Sequence, residues 1–378
     1  MLVVGAGPAG AIAALTLARA GVRVAMVDRA RFPRDKLCGD TINPGTLSIL
    51  RRLGADQGPL RRARPLTGMV VTTASGQRIA GAYPDGLAGI AVSRRHVDQY
   101  LLEQAVAAGA EFDEGVTVQG ALVETRAGDP IVRGIVVGGA HGRRRELRAP
   151  VTIAADGRHS LTAFGVGLAR HPARPRRWAV AAYFDGVADL SSFGEMHVRP
   201  GYYVGVAPLD GQTANVCVVA SASAAWRRPT QLLRSALERD PALADRVRSA
   251  RQATPAVTLG PLAVDAPVAG CDGLLLAGDA AGFVDPMTGD GLRFAVRGAE
   301  LAAQAALRAL EGDASAHGWL TAARRAEFRG KWRFNRMLRR LVGSGAAVGL
   351  GAIGARVAPS VLRAVICAAG DVRLVAAH

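Results

Sequence analysis

The stretch VVGAGPAG, residues 3–10, decides how this chain is read. An apolar run from Leu2 to Val4 ends on Gly5, Gly7 and Gly10, and Ala9 to Ala20 continues as an Ala/Leu-rich helix closed by Gly21. In the order strand, Gly-x-Gly-x-x-Gly, helix, each glycine has its own physical task. Gly5 permits the tight turn, Gly7 lets the backbone approach a pyrophosphate, and Gly10 lets helix and strand pack closely while the helix N-terminus faces the anion. Val22 to Val27 is a second strand, and Asp28 at its end, with Arg29 beside it, stands where a carboxylate accepts hydrogen bonds from a ribose hydroxyl. The pattern predicts a β-α-β dinucleotide-binding unit. It does not separate a flavin from a nicotinamide cofactor.

A second glycine loop makes that separation. In LLLAGDAAGFVDPMTGDGL, residues 274–292, an apolar strand ends on Gly278 and Asp279, placing a carboxylate within reach of a polyol hydroxyl. Gly289 and Gly291 then open a helix, from about Asp290 to Leu310, whose free N–H groups can face a partly anionic ring edge. A dinucleotide with a ribityl chain and an isoalloxazine ring needs this second contact, whereas a nicotinamide dinucleotide does not. The expected cofactor is FAD.

The bulk properties exclude other classes. With 378 residues, 49% of them hydrophobic, the chain can bury a large core. The net charge of +16 invites a nucleic-acid reading, but the basic residues are nearly all scattered arginines, Lys36 and Lys331 being the only lysines. Local knots at Arg143–Arg145, Arg174–Arg177 and Arg336–Arg340 carry no interleaved aromatic platform, so no nucleic-acid partner is expected. The positive field instead favours an anionic cosubstrate or an anionic membrane surface. Cys38, Cys217, Cys271 and Cys367 are widely spaced, without a C-x-x-C pair or a histidine at ligand spacing, so neither disulfides nor a metal site is expected, and a reducing cytoplasm fits. The glycine loop begins at Gly5, so no leader is expected before it. The uncharged run Leu341–Ala355 is short for a membrane span and broken by glycines.

Periodicity outlines the remaining organisation. A helix follows Pro44, Met69–Thr73 and Arg78–Ala82 read as a hairpin, and Arg94–Ala108 reads as a helix with Val97, Leu101, Leu102 and Ala105 on one stripe. Residues 116–154 give short β runs leading back to a buried strand, and period-2 alternation holds from Ala179 to Ser221. The expected fold is α/β. A Rossmann-like domain (residues 1–64, 91–165 and 262–325) carries an inserted, mostly antiparallel sheet domain for substrate (65–90 and 166–261), and residues 326–378 form a helical C-terminal region.

Three motifs carry a family resemblance over roughly residues 1–312. GAGPAG with Asp28, ADGRHS at 155–160 and LLLAGDAAGFVDPMTGDG at 274–291 resemble the flavin fingerprints of the p-hydroxybenzoate hydroxylase-type flavoproteins, which include aromatic monooxygenases and geranylgeranyl reductases. The resemblance implies one noncovalent FAD held from both ends. Gly5, Gly7, Ala9, Gly10, Asp28 and Arg29 would lie at its nucleotide end, Asp279 on the ribityl chain, and Pro286, Gly289, Gly291 and Leu292 along the pyrimidine edge. RRHVDQYLLEQA is similar to the family's R-x-x-x-D-x-x-L helix, so Arg94 is carried over as a cofactor contact. Asp156, Gly157 and Ser160 match D-G-x-x-S, an element associated with FAD and with passage of the nicotinamide cosubstrate. No separate NAD(P)H domain is visible, which implies a reductant that visits transiently.

The same resemblance frames the chemistry. DKLCGDTINPGTLSIL, residues 35–50, is similar to the reductase branch, whose C-G element lies near the flavin, here Cys38 and Gly39. That branch also carries an aromatic Y-x-W-x-F-P strand. Tyr203 and Pro208 match it, but Gly205 and Ala207 replace the two large rings, which predicts a wider cavity. The expectation is therefore NAD(P)H-dependent hydroxylation of a small hydrophobic aromatic or polyketide-type metabolite, with His197 and Tyr203 polarising a phenol. Reduction of a carbon–carbon double bond in an isoprenoid or lipid is the alternative. A non-catalytic, flavin-binding protein that touches membrane through the basic segment Arg339–Ala369 is a third reading.

Overall fold

The computed structural model describes every residue except 37, 127–128, 139–143, 175–176, 222–223, 343–358 and 376–378. Its organising element is a six-stranded sheet in the order Gly270–Cys271, Leu274–Leu276, Thr152–Ala154, Leu2–Val4, Ala25–Asp28 and Glu111–Glu114, parallel except for the first strand. Leu2–Val4 and Leu274–Leu276 are continuous apolar runs, and Thr152–Ala154 between them is also wholly buried, because both faces are covered. Val3, Ile153 and Leu275 point into a core with the helices Pro8–Arg19, Arg94–Ala107 and Gly291–Leu310. Their neighbours Leu2, Val4, Ala154 and Leu274 point the other way, onto an antiparallel meander of Val118–Arg126, Asp129–Gly138 and Arg144–Arg148.

Parallel pairing brings four strand ends to one edge. Gly5, Asp28, Asp156 and Gly278 all leave the sheet there, and this carboxyl edge is where open α/β sheets bind ligands.

A second sheet faces that edge. It runs Arg251–Gln252, Arg177–Asp185, Ala214–Ser221, Tyr202–Pro208, Phe193–Arg199, Gly68–Thr72 and Arg78–Ala82, with Val257–Leu259 also paired to Arg177–Asp185. All neighbours are antiparallel except Phe193–Arg199 with Gly68–Thr72, so the hairpin joins the later strands through a parallel contact. Alternation divides the sheet into two faces. Val180, Phe184, Val204, Val216 and Val218 pack on Leu233 and Leu237 of the helix Pro229–Glu238, while Ala179, Met196, Val198, Tyr203 and Val219 face the glycine loops.

The helix Ala316–Val342 packs on Gly291–Leu310 through Phe294 and Phe328, whose rings meet edge to face at 5.0 Å. The helix Pro359–Ala369 follows, and the Gly45 N–H donates to the Gly370 carbonyl at 3.0 Å, tying the C-terminal segment to the helix Pro44–Arg52. The uncharged run Leu341–Ala355 lies almost wholly outside the described residues. Among the described residues no helix is long and apolar enough to cross a membrane.

Candidate flavin site

One cavity lies between the carboxyl edge of the first sheet and the inner face of the second. Its wall includes Gly7, Ala9, Cys38, Gly39, Arg94, Tyr203, Gly278, Asp279, Pro286, Gly289, Gly291 and Leu292. Gly5 and Gly10 shape this wall from behind. Gly5 holds φ +94°, and a Cβ on Gly10 would stand 1.7 Å from the Gly5 carbonyl oxygen, so the helix start closes onto the turn. The second loop meets the first where a Cβ on Gly278, at φ +60°, would lie 2.8 Å from the Ala9 Cβ. The two glycine loops thus form a single cradle.

Asp28, Arg29 and Asp156, also expected as cofactor contacts, stand outside the cavity's lining. Asp28 Oδ2 accepts the Ala6 N–H at 2.7 Å and Oδ1 accepts the Ala30 N–H at 2.8 Å, so this carboxylate holds the loop backbone in place. Arg29 is exposed and does not line the cavity. Asp156 also sits behind the wall, with Oδ2 accepting from Thr162 Oγ1 at 3.3 Å, and burial pushes its pKa up. Ser160 caps the short helix Leu161–Gly165 by accepting the Ala163 N–H at 2.9 Å. From this motif it is Gly157 and Arg158 that reach the cavity. Arg94 lines it too, although two of its N–H groups go to Asp98 at 2.7 and 2.9 Å.

Two cations escaped the motif reading. Lys36 and Arg158 line the cavity beside Asp279; burial pulls the pKa of each below its ordinary value, and the Asp279 charge opposes that pull. Arg158 Nε is buried without a hydrogen-bond partner in the structure, which fits an anionic, phosphate-bearing cofactor as its missing acceptor. The available signal was compositional, since Lys36 is one of only two lysines in an arginine-rich chain.

Behind Cys38 lies a buried carboxylate that sequence patterns did not flag. Asp40, at φ +51°, accepts from Tyr183 Oη at 2.7 Å, from the Arg94 N–H at 3.1 Å and from Asn215 Nδ2, which also donates to the Cys38 carbonyl at 2.8 Å. Burial raises its pKa to about 6. These bonds pin the Cys38–Gly39 segment against the second sheet.

At the opposite end Tyr203 Oη donates to Asp285 Oδ1 at 3.1 Å, and Arg177 Nη1 bonds Asp285 Oδ2 at 3.2 Å while lying over the Tyr203 ring. Burial first, then the Asp285 charge, raises the tyrosine pKa well above its ordinary value, so it stays protonated. A Cβ on Gly205 would meet nothing nearer than the Cys217 carbonyl oxygen at 4.0 Å, leaving open space where a large ring would stand. His197 is not part of this site. It sits on the far face of the sheet, 1% exposed, with Nδ1 bonded to Thr72 Oγ1 at 2.8 Å and Nε2 to Glu195 Oε2 at 3.0 Å. Its placement corrects the expectation that it polarises substrate, and the reason is pleating: adjacent positions on a strand face opposite sides.

Two glycine loops in contact, a carboxylate at the end of a buried strand and a cavity beside them, on a doubly covered parallel sheet, suit a flavin dinucleotide. The family model described as FAD binding domain matches residues 1–332, and the chain belongs to that family. It is 30% identical to a digeranylgeranylglycerophospholipid reductase of Methanosarcina mazei over 333 residues, 83% of this chain and 77% of that protein. Among solved structures, a flavin-dependent brominase superposes with a TM-score of 0.83 at 20% identity, over 98% of this chain and 92% of that one. The flavin-dependent halogenase CmlS gives 0.77 at 23% identity over 88% of this chain, which spans only 63% of the halogenase. The structural likenesses establish the fold. Family membership makes the chain an FAD-dependent oxidoreductase and sets aside the non-catalytic reading.

Proposed function

We propose that this enzyme reduces a carbon–carbon double bond in a hydrophobic isoprenoid- or lipid-type substrate, with NAD(P)H as a transient electron source. The observation that carries the reading is the substrate end of the cavity, where Met69, Met196, Leu259, Leu262 and Met287 form an apolar wall. His197 lies on the other face, and the Tyr203 proton is committed to Asp285. Bound FAD would supply the two-electron chemistry. The chain's part is to hold the cofactor between the glycine loops and to shelter an apolar substrate from water. Cys217, on the same wall, stays a neutral thiol, burial pushing its pKa to about 12. The name of the Methanosarcina relative, a lipid reductase, supports this reading.

Hydroxylation of an aromatic or polyketide-type ring is the second reading, favoured by the open space at Gly205 and by the Tyr203–Asp285–Arg177 chain beside it. Chemically reduced enzyme, incubated with a polyprenyl lipid and, separately, with hydrophobic phenols, separates the two. A product heavier by two hydrogens and formed without oxygen supports reduction. A product carrying one atom from isotopically labelled dioxygen, with no anaerobic turnover, overturns it.

A further inference from the structure

The outer face of the helix Ala316–Val342 carries Arg325, Arg329, Arg333, Arg336 and Arg340, all exposed. At about 100° per residue these five fall within an arc of about 80°, in a row about 22 Å long. The helix holds one acidic residue, Glu327, which is turned inward to bond Arg293 and Arg297. Among the described residues none of the five arginines has a carboxylate within ion-pair distance, and the one polar contact found is from Arg325 Nη2 to the Pro267 carbonyl at 2.9 Å. On the inner side of this helix Arg293 and Arg297 share Glu327, so the one carboxylate of the helix is already engaged away from the row. A row of like charges on one face, with no counter-charge, repels itself unless an anionic surface meets it.

The inner face of the same helix forms part of the flavin site's surroundings. Lys331 and Asn335 bond Asp290 in the second glycine loop, and Leu338 packs against the cluster containing Met287, Met196 and Tyr203. The arginine row therefore lies one helix diameter from the substrate end of the cavity.

We propose that this arginine row docks the enzyme on an anionic lipid bilayer. The straight row suits a flat, laterally mobile field of headgroups. Met337, 49% exposed beside it, offers an apolar contact, whereas no exposed aromatic side chain on the helix provides the stacking that single-stranded nucleic acid uses. The purpose of docking rests on the lipid-substrate reading, but the binding itself does not, so the test uses no turnover.

FAD-loaded full-length protein is sedimented with phosphatidylcholine vesicles and with vesicles containing about 30% phosphatidylglycerol, at about 0.1 M and about 0.5 M salt. Binding is expected only to the anionic vesicles and only at the lower salt. Combining Arg329→Gln, Arg333→Gln and Arg336→Gln is expected to weaken it at least about tenfold, the matching lysine variant to retain it, and the flavin spectrum to stay unchanged in both. Equal binding to both vesicle types, or undiminished binding of the glutamine variant, overturns the proposal. So does tighter, arginine-dependent binding to a labelled nucleic acid. Failure here leaves the double-bond chemistry standing, because soluble short-chain substrates test that separately.

Discussion

A methyl group on Gly278 would stand 2.8 Å from the Ala9 Cβ, so the two glycine loops touch where one added carbon does not fit. Gly278 also holds φ +60°, where a side chain costs about 1–2 kcal/mol. Gly278→Ala should pry the loops apart and lower flavin occupancy after purification by at least about tenfold, with far-ultraviolet circular dichroism preserved. An unchanged flavin-to-protein absorbance ratio would show that the contact does not govern loading.

Asp279 lines the cavity at the end of a buried strand, beside Lys36 and Arg158. Asp279→Ala removes a charged acceptor worth about 1.5–3 kcal/mol. FAD should then bind about ten- to a hundredfold more weakly in a fluorescence titration of apoprotein. A dissociation constant within twofold of the wild type, on the order of experimental error, would remove Asp279 from the cofactor contacts.

Asp40 sets a pH dependence. Burial raises its folded pKa to about 6, against the hydrogen bonds of Tyr183, Asn215 and Arg94 that favour the charged form. The unfolded value is about 3.9, so between the two the folded state binds more protons. Stability from this group is full below about pH 4 and is lost as pH rises through about 6, a change of up to about 3 kcal/mol. Denaturant unfolding across that window should show the wild type losing stability relative to Asp40→Asn. Parallel pH profiles for the two proteins would place the titration elsewhere.

Lys331 Nζ lies 2.9 Å from Asp290 Oδ1 and 3.0 Å from Asp371 Oδ2, and it donates to the Ala368 and Ala369 carbonyls at 2.6 and 3.1 Å. Lys331→Met leaves buried Asp290 without its cation and Asp371 with only Arg293, 3.9 Å away, and should cost about 3–5 kcal/mol in the same unfolding assay. A planar guanidinium does not reproduce the contacts of a compact ammonium, so Lys331→Arg should rescue less than half of the loss, on the order of 1–2 kcal/mol. Full rescue by arginine would mean that charge alone suffices there.

The cofactor half of this protein was legible because its signals are local. Gly5, Gly7 and Gly10 act within one turn, and strand and helix periods are set by neighbours a few residues away, so VVGAGPAG and LLLAGDAAG by themselves mark a dinucleotide cradle. The domain that faces it was legible only as alternation. His197 and Tyr203 both stand on β runs, and the sequence could not say whether they share a face. Register decided it: Val198 pairs with Tyr203 and His197 with Val204, which turns Tyr203 to the cavity and His197 away; a slip of one residue would reverse their relation. Lys36, Arg158 and Asp279 likewise belong to no common motif. They meet because parallel pairing delivers the carboxyl ends of distant strands to one edge, and that convergence is a property of chain packing, which no local run of residues encodes.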